Sequence, residues 1–137
     1  MVWKIAALCF CLSGSFAWAA EPPAKNLDWL VKHPAIQELH HRHNAERARV
    51  GLQPLTLDPQ MCLAAQRHAT WMAETGLQMH SGLPYHENLF LGANTASDAV
   101  NGWIWSPAHH GNMLGGTKAG YGYQRINGRP AWVGVFR

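Results

Sequence analysis

The spacing of apolar and polar positions divides the chain into three main helical stretches and a terminal pair of strands. A first helix is predicted from Pro34, a good first-turn residue, to Val50. Ile36, Leu39, His43 and Val50 fall along one stripe of it, with Arg42, Glu46 and Arg49 mostly off that stripe. Gly51 supplies a stop, and Pro54 cannot extend the helix. The clearest start signal follows at Asp58-Pro59, an N-cap residue before proline at the first helical position. That second helix runs to about Thr75 and stops at Gly76. Cys62, Ala65, Ala69 and Met72 recur at three- and four-residue intervals and predict one buried stripe, flanked by His68 and Trp71. Its small residues let another element approach closely.

Residues 76–94 show no sustained period and are expected to be loop. A third helix is predicted from Thr95, where Asp98 stands at capping-box spacing, with Val100, Trp103 and Ile104 on its apolar face. Ser106-Pro107 interrupts it, because proline disfavours helix for the residue before it. The same pair can start a new short helix, with Ser106 as N-cap, that ends at Gly115-Gly116. Asn127-Gly128 is a strong hairpin signal of the type I′ kind. Pairing around it sets Tyr123 opposite Trp132, Gly122 opposite Val133 and Gly120 opposite Val135. One face then carries Tyr121, Tyr123 and Trp132. The other carries Gly120, Gly122, Val133 and Val135, a shallow surface for a helix. Helices flanking a small antiparallel sheet make the expected class α+β, with the Trp and Tyr residues mostly in the core.

The first twenty residues have a different pattern. Lys4, the apolar run Ile5 to Leu12 and the small-x-small Ala17-Trp18-Ala19 predict a signal peptide over 1–20, cleaved after Ala19 or Ala20. The apolar run is too short to span a bilayer, and no later stretch is a transmembrane candidate. A short polar leader (21–34) and one domain (35–137) follow. The expected location is secreted or periplasmic. Cys9 and Cys11 leave with the signal, so Cys62 has no partner for an internal bridge and is expected to be a buried, inert thiol. Loss of Lys4 lowers the formal charge from +3 to +2, and no basic run points to nucleic acid. The unusual ionisable content is nine histidines. Below their ordinary pKa of about 6.5 they would make the protein cationic and favour an anionic envelope.

Chemistry concentrates on His80, Glu87 and His109. Two imidazoles and a carboxylate are a minimal kit for holding a divalent metal or moving protons near neutral pH, yet no HExxH-type motif contains them. Taken as residues alone, His80 and His109 are also explained by hydrogen bonds joining loop to helix. Glu87 has three candidate roles: general base, metal ligand, or the acceptor that orients a histidine. His43 and Asn44 are expected to serve the fold, His43 on an apolar stripe and Asn44 on buried backbone groups. His40, His41 and His43 invite a metal reading, but His41 points away from the other two. Ser81 and Ser106 lack the context of a nucleophile elbow and suit capping and turn roles.

Several separated motifs together resemble one family. They are His43-Asn44-x-x-Arg47, Gly51-Leu52-x-Pro54-Leu55-x-x-Asp58, Ala64-Ala65-x-x-His68-Ala69-x-x-Met72, His80-Ser81 and Glu87-Asn88-Leu89. They continue through Trp103-x-x-Ser106-Pro107-x-His109-x-x-Asn112-x-Leu114 and the two terminal strands. In order and spacing, over residues 39–137, they resemble the CAP superfamily of cysteine-rich secretory, antigen-five and pathogenesis-related proteins. The resemblance implies an α-β-α sandwich with a cleft of two histidines and two acidic residues. His80, Glu87 and His109 match three of these, and Ser106 stands where eukaryotic members carry the second glutamate, as in many bacterial exported relatives. His86 replaces the usual glycine before Glu-Asn, and the 80–87 loop is short.

Family members are variously described as sterol or lipid binders, metal-dependent ligands of other proteins, and occasionally proteases. The expectation drawn from the resemblance is an envelope-associated module binding a small molecule, lipid or cell-envelope ligand. Its cleft comprises His80, Glu87, His109 and Ser106, with His80 and His109 as candidate Zn²⁺ ligands. The alternative is a metal-dependent hydrolase of peptide or cell-wall substrate. There the same histidines hold Zn²⁺, Glu87 is the catalytic residue that activates bound water, and a third ligand such as His86 joins them. A third expectation is a vestigial cleft in a protein that works through its surface.

Overall fold

The computed structural model describes residues 26–137, so the expected signal peptide and the first part of the leader lie outside the described residues. Asp58 accepts hydrogen bonds from the amides of Gln60 and Met61, and Pro59 opens the helix α3 (Pro59–Thr75), which Gly76 ends in the left-handed conformation. Before it come the short α1 (Asp28–Val31), α2 (Pro34–Arg49) and the two-residue β1 (Thr56–Leu57). After it come β2 (His86–Leu91), α4 (Ala96–Ile104), α5 (Pro107–Leu114), β3 (Lys118–Ile126) and β4 (Arg129–Phe136). Thr95 and Asp98 form a reciprocal capping box at the start of α4. At the start of α5, Ser106 occupies the N-cap position without a side-chain capping bond.

The β3–β4 hairpin turns through Asn127 (φ 50°) and Gly128 (φ 76°), the two left-handed residues that a type I′ turn requires. Its register places Tyr123 against Trp132, Gly122 against Val133 and Gly120 against Val135, as expected. The four strands run β1-β3-β4-β2, with β1 parallel to β3 and the other pairs antiparallel. The sheet is therefore mixed rather than purely antiparallel.

Each face of the sheet is covered by helix. On one side Met61, Ala65, Ala69 and Met72 of α3 pack on Val133 and Val135. A Cβ on Gly120 would collide with the backbone of Met61 and Cys62, and one on Gly122 with that of Ala65. These glycines thus set the depth at which α3 seats. On the other side Ile36, Leu39, Val100 and Trp103 pack on Tyr121, Trp132 and Phe136. This is an α-β-α sandwich.

Four expectations need correction. The 76–94 segment is not all loop, since it contains β2. Three consecutive residues there, Glu87, Asn88 and Leu89, are buried, which removes the alternation that marks a half-buried strand. The leader contains α1, whose Leu30 joins the core. On α2 the buried set includes Glu46 and Arg47, while Val50 is exposed, because other elements supply polar partners to that face. Trp29, Trp71 and Trp105 are exposed rather than core.

Candidate functional site

Glu87 lies on the edge strand β2 with its carboxylate only 6 % exposed. A carboxylate at that depth is costly unless it is hydrogen-bonded. It accepts from His80 Nδ1 at 2.8 Å, from the Ser81 amide at 2.9 Å and from Ser81 Oγ at 2.5 Å. The His80 and Ser81 amide bonds fall on Oε1 and the hydroxyl bond on Oε2, so both oxygens are committed. The chain bends through His80-Ser81 to wrap this one group. Since the carboxylate accepts, the proton of neutral His80 sits on Nδ1, leaving Nε2 open on a side chain that is 67 % exposed. Glu87 is thereby an orienting group for His80.

His109 enters from the opposite wall, in the first turn of α5. Its carbonyl accepts from Asn88 Nδ2 at 2.9 Å, and Asn112 Nδ2 donates to Asn88 Oδ1 at 3.0 Å. Asn88 is fully buried. Successive residues of one strand thus hold the two halves of the site, Glu87 gripping the His80 loop and Asn88 gripping α5. The far end of α5 is fixed from α2. His43 Nε2 donates to the Met113 carbonyl at 2.7 Å, and Arg47 donates to the carbonyls of Gln53, Met113, Gly115 and Gly116. In the middle, His110 Nε2 meets Glu46 Oε1 at 2.7 Å. The Arg49 guanidinium, bidentate on Glu46, and then His110 hold that carboxyl down at about 2.

Burial lowers the pKa of His109, and the nearby His80 lowers it further. The two imidazoles border different depressions. Ser106 and His109 face a depression of about 230 Å³ with Leu89, Phe90 and Trp103. His80 lines a separate one of about 310 Å³ with His68, Trp71, Met79 and Ser81. His86, next to Glu87 on β2, lines a third with Tyr85, Phe136 and Arg137.

These positions test the donor set for a catalytic metal. Among the described residues no group of three or more His, Cys, Asp or Glu side chains is placed to hold a metal ion. Catalytic zinc takes three protein ligands. His86 faces a different cavity, and both Glu87 oxygens are already accepting bonds. The residues present do not fit a catalytic zinc centre with Glu87 as its base.

The remaining sequence candidates sit in the frame. His43 is fully buried between Met113 and Tyr121. Asn44 pairs with both backbone groups of Leu55. Cys62 is buried and free, its thiol pushed by burial up to about 11. The sequence reasoning overlooked three contributions: Asn88 and Asn112, which sit inside the quoted motifs, and the Glu46–His110 tie. For the last, the only signal is an acidic residue close to the apolar stripe of the first helix.

Comparison with known proteins agrees with this fold. The profile of the cysteine-rich secretory protein family (CAP) matches residues 40–136. Pathogenesis-related protein 1C of Nicotiana tabacum is 39% identical over 71 residues, covering 50% of this chain and 42% of the relative. Pathogenesis-related protein PRMS of Zea mays is 37% identical over 91 residues, covering 56% and 54%. The chain thus spans about half the length of these curated relatives. They are plant proteins, so they do not speak for a bacterial exported type. Among solved structures, an outer surface protein of Borrelia burgdorferi superposes with a TM-score of 0.62 at 17% identity, over 73% of this chain and 89% of that one. An extracellular protein with an SCP domain from Bacillus anthracis gives 0.58 at 19% identity, over 75% and 40%. At such identities these two show a shared fold.

Proposed function

The chain belongs to the CAP family of cysteine-rich secretory proteins, and from that premise we propose that it is an extracellular or periplasmic binding module, its site built on His80 and His109. The observation that carries this reading is the buried Glu87 carboxylate, committed to the His80 loop. Three donors converge on it and its side chain is only 6 % exposed, so three of its roughly four lone-pair sites are taken up by the His80 loop. Its work is done on His80, whose Nε2 is left outward. The module then offers ligands two imidazoles and, at Ser106, a hydroxyl where the resemblance would have a second acid. That Ser106 also supports the bacterial exported type as part of the proposal. Location outside the cytoplasm is supported by the names of relatives, such as a secreted protein of Candida albicans and the outer surface protein above. No helix among the described residues is long and apolar enough to cross a membrane. The ligand class proposed is a small molecule, lipid or other cell-envelope component that hydrogen-bonds to imidazole.

A differential extraction tests the reading. Purified protein, His80→Ala and His109→Ala are incubated with total small-molecule and lipid extract, washed and analysed by mass spectrometry. A species retained by the parent and lost from both variants is expected. The parallel arm is turnover of a peptide and peptidoglycan panel, with and without added Zn²⁺. Turnover that disappears in Glu87→Ala would overturn the binding module in favour of a hydrolase.

A further inference from the structure

Beside the His80 loop, the structure contains a surface groove that runs past the cleft along α3. One side is the outer face of α3, where Ala64, Arg67, His68 and Trp71 follow one another at helical spacing. The other side is the loop 79–83. Two depressions of about 300 and 310 Å³ share His68, Trp71 and Ser81 and so form one continuous trough. Its floor is aromatic: the Trp71 indole lies nearly parallel to the His68 ring, at 10° and 5.4 Å between centroids, and is 36 % exposed. Met79 and Leu83 are exposed beside it.

The polar groups of the trough have a common character. His68 Nε2 lies 2.6 Å from the Met79 carbonyl, which can only accept, so neutral His68 carries its proton there and has Nδ1 as an acceptor. Among the described residues that Nδ1 has no partner, and it is not sealed from solvent. His80 gives its Nδ1 proton to Glu87 and presents Nε2 as an acceptor. Ser81 Oγ gives its proton to Glu87 Oε2 and can only accept from anything else. The one strong donor is Arg67, exposed and, among the described residues, without a carboxylate partner. No acidic side chain lines either depression.

A complementary ligand must therefore supply several hydrogen-bond donors, a flat apolar face for Trp71 and a carboxylate for Arg67. An acyl chain or an apolar peptide side chain would cover the indole but leave the histidine acceptors desolvated and unpaired, which is costly. A pyranose offers hydroxyl donors at its edge and C–H groups on its face, and a uronic acid adds a ring carboxylate suited to the guanidinium fork. We propose that the groove between α3 and the 79–83 loop binds an acidic oligosaccharide of the hexuronate type. The ring stacks on Trp71, its carboxylate pairs with Arg67, and its hydroxyls donate to His68 and His80. The proposal stands apart from the cleft reading, with which it shares His80.

The test is titration of the purified protein with trigalacturonate near pH 7.5, followed by heteronuclear NMR and calorimetry. Saturable binding with shifts centred on Arg67, Trp71 and His80 is expected. Arg67→Ala and Trp71→Ala should each weaken it about tenfold, with Arg67→Lys in between because a point charge replaces the fork. Circular dichroism confirms that these surface variants remain folded. Arg42→Ala, on the opposite helical layer, should bind as the parent does. Equal affinity for neutral trigalactose would overturn the proposal, as would equal loss in Arg42→Ala. So would capture of a fatty acid or an acidic peptide in the same groove without any response to trigalacturonate.

Discussion

His43 sits at the centre of a fixed proton arrangement. The Met113 carbonyl accepts from Nε2 at 2.7 Å, so Nδ1 must accept, and the Tyr121 hydroxyl donates to it at 2.9 Å. Protonating the ring would force two donors together inside the core. Burial accordingly lowers its pKa from 6.5 to about 4. The sign of the stability effect follows: between those values the unfolded chain takes a proton that the native state refuses. The contribution of His43 is complete above about pH 6.5 and is lost as pH falls to about 4, amounting to about 3 kcal/mol. Urea unfolding at pH 7 and pH 4 should show that loss, and His43→Asn should show a correspondingly smaller one. The placement of His43 in the interior was legible from its stripe position, since it repeats with Ile36 and Leu39. The two partners were not, because they come from α5 and β3, far along the chain. The same limit applies to Glu87: the motif marked it as a site residue, but only the folded loop shows that most of its lone pairs are spent on His80 and Ser81.

At the level of elements, what could be read in advance was local. The Asp58 cap, the Gly76 stop, the Thr95 capping box and the Asn127-Gly128 turn each act within a few residues, and each appears where expected. The edge strand β2 was missed because its identity comes from pairing with β4, not from its own pattern. β1 is two residues long and leaves no period at all. The Trp71 groove was hidden for a similar reason, since its walls come from a helix and a loop that share no motif. One prediction belongs to this scale. Gly122 faces the backbone of Ala65, which cannot swing aside as a side chain would. Gly122→Ala should therefore lift α3 from the sheet and cost about 2 kcal/mol. A melting series would check it, with Gly111→Ala, where a Cβ meets nothing, as the tolerated comparison on a helix.

Across the whole molecule, Arg47 ties together segments that lie far apart in the sequence. One guanidinium from α2 holds the 53 loop and the C-terminal end of α5, where carbonyls converge and a cation is favoured. Arg47→Met should cost about 3 kcal/mol, since the carbonyls of Gln53, Gly115 and Gly116 lose their donor and that of Met113 keeps only His43. Hydrogen exchange should speed up selectively along α5, and the His109 imidazole resonance should broaden while that of His80, anchored by Glu87, stays sharp. Unchanged exchange on α5 would mean that the helix is held by its apolar packing alone. The interior of this sandwich also contains Cys62, a lone thiol that burial keeps protonated. No step in assembling the described domain waits for an oxidant, so its folding can begin as soon as the last strand leaves the ribosome. If the chain crosses a membrane unfolded, it has to be kept open by the export machinery, because the absence of oxidising conditions before translocation does nothing to delay its closure.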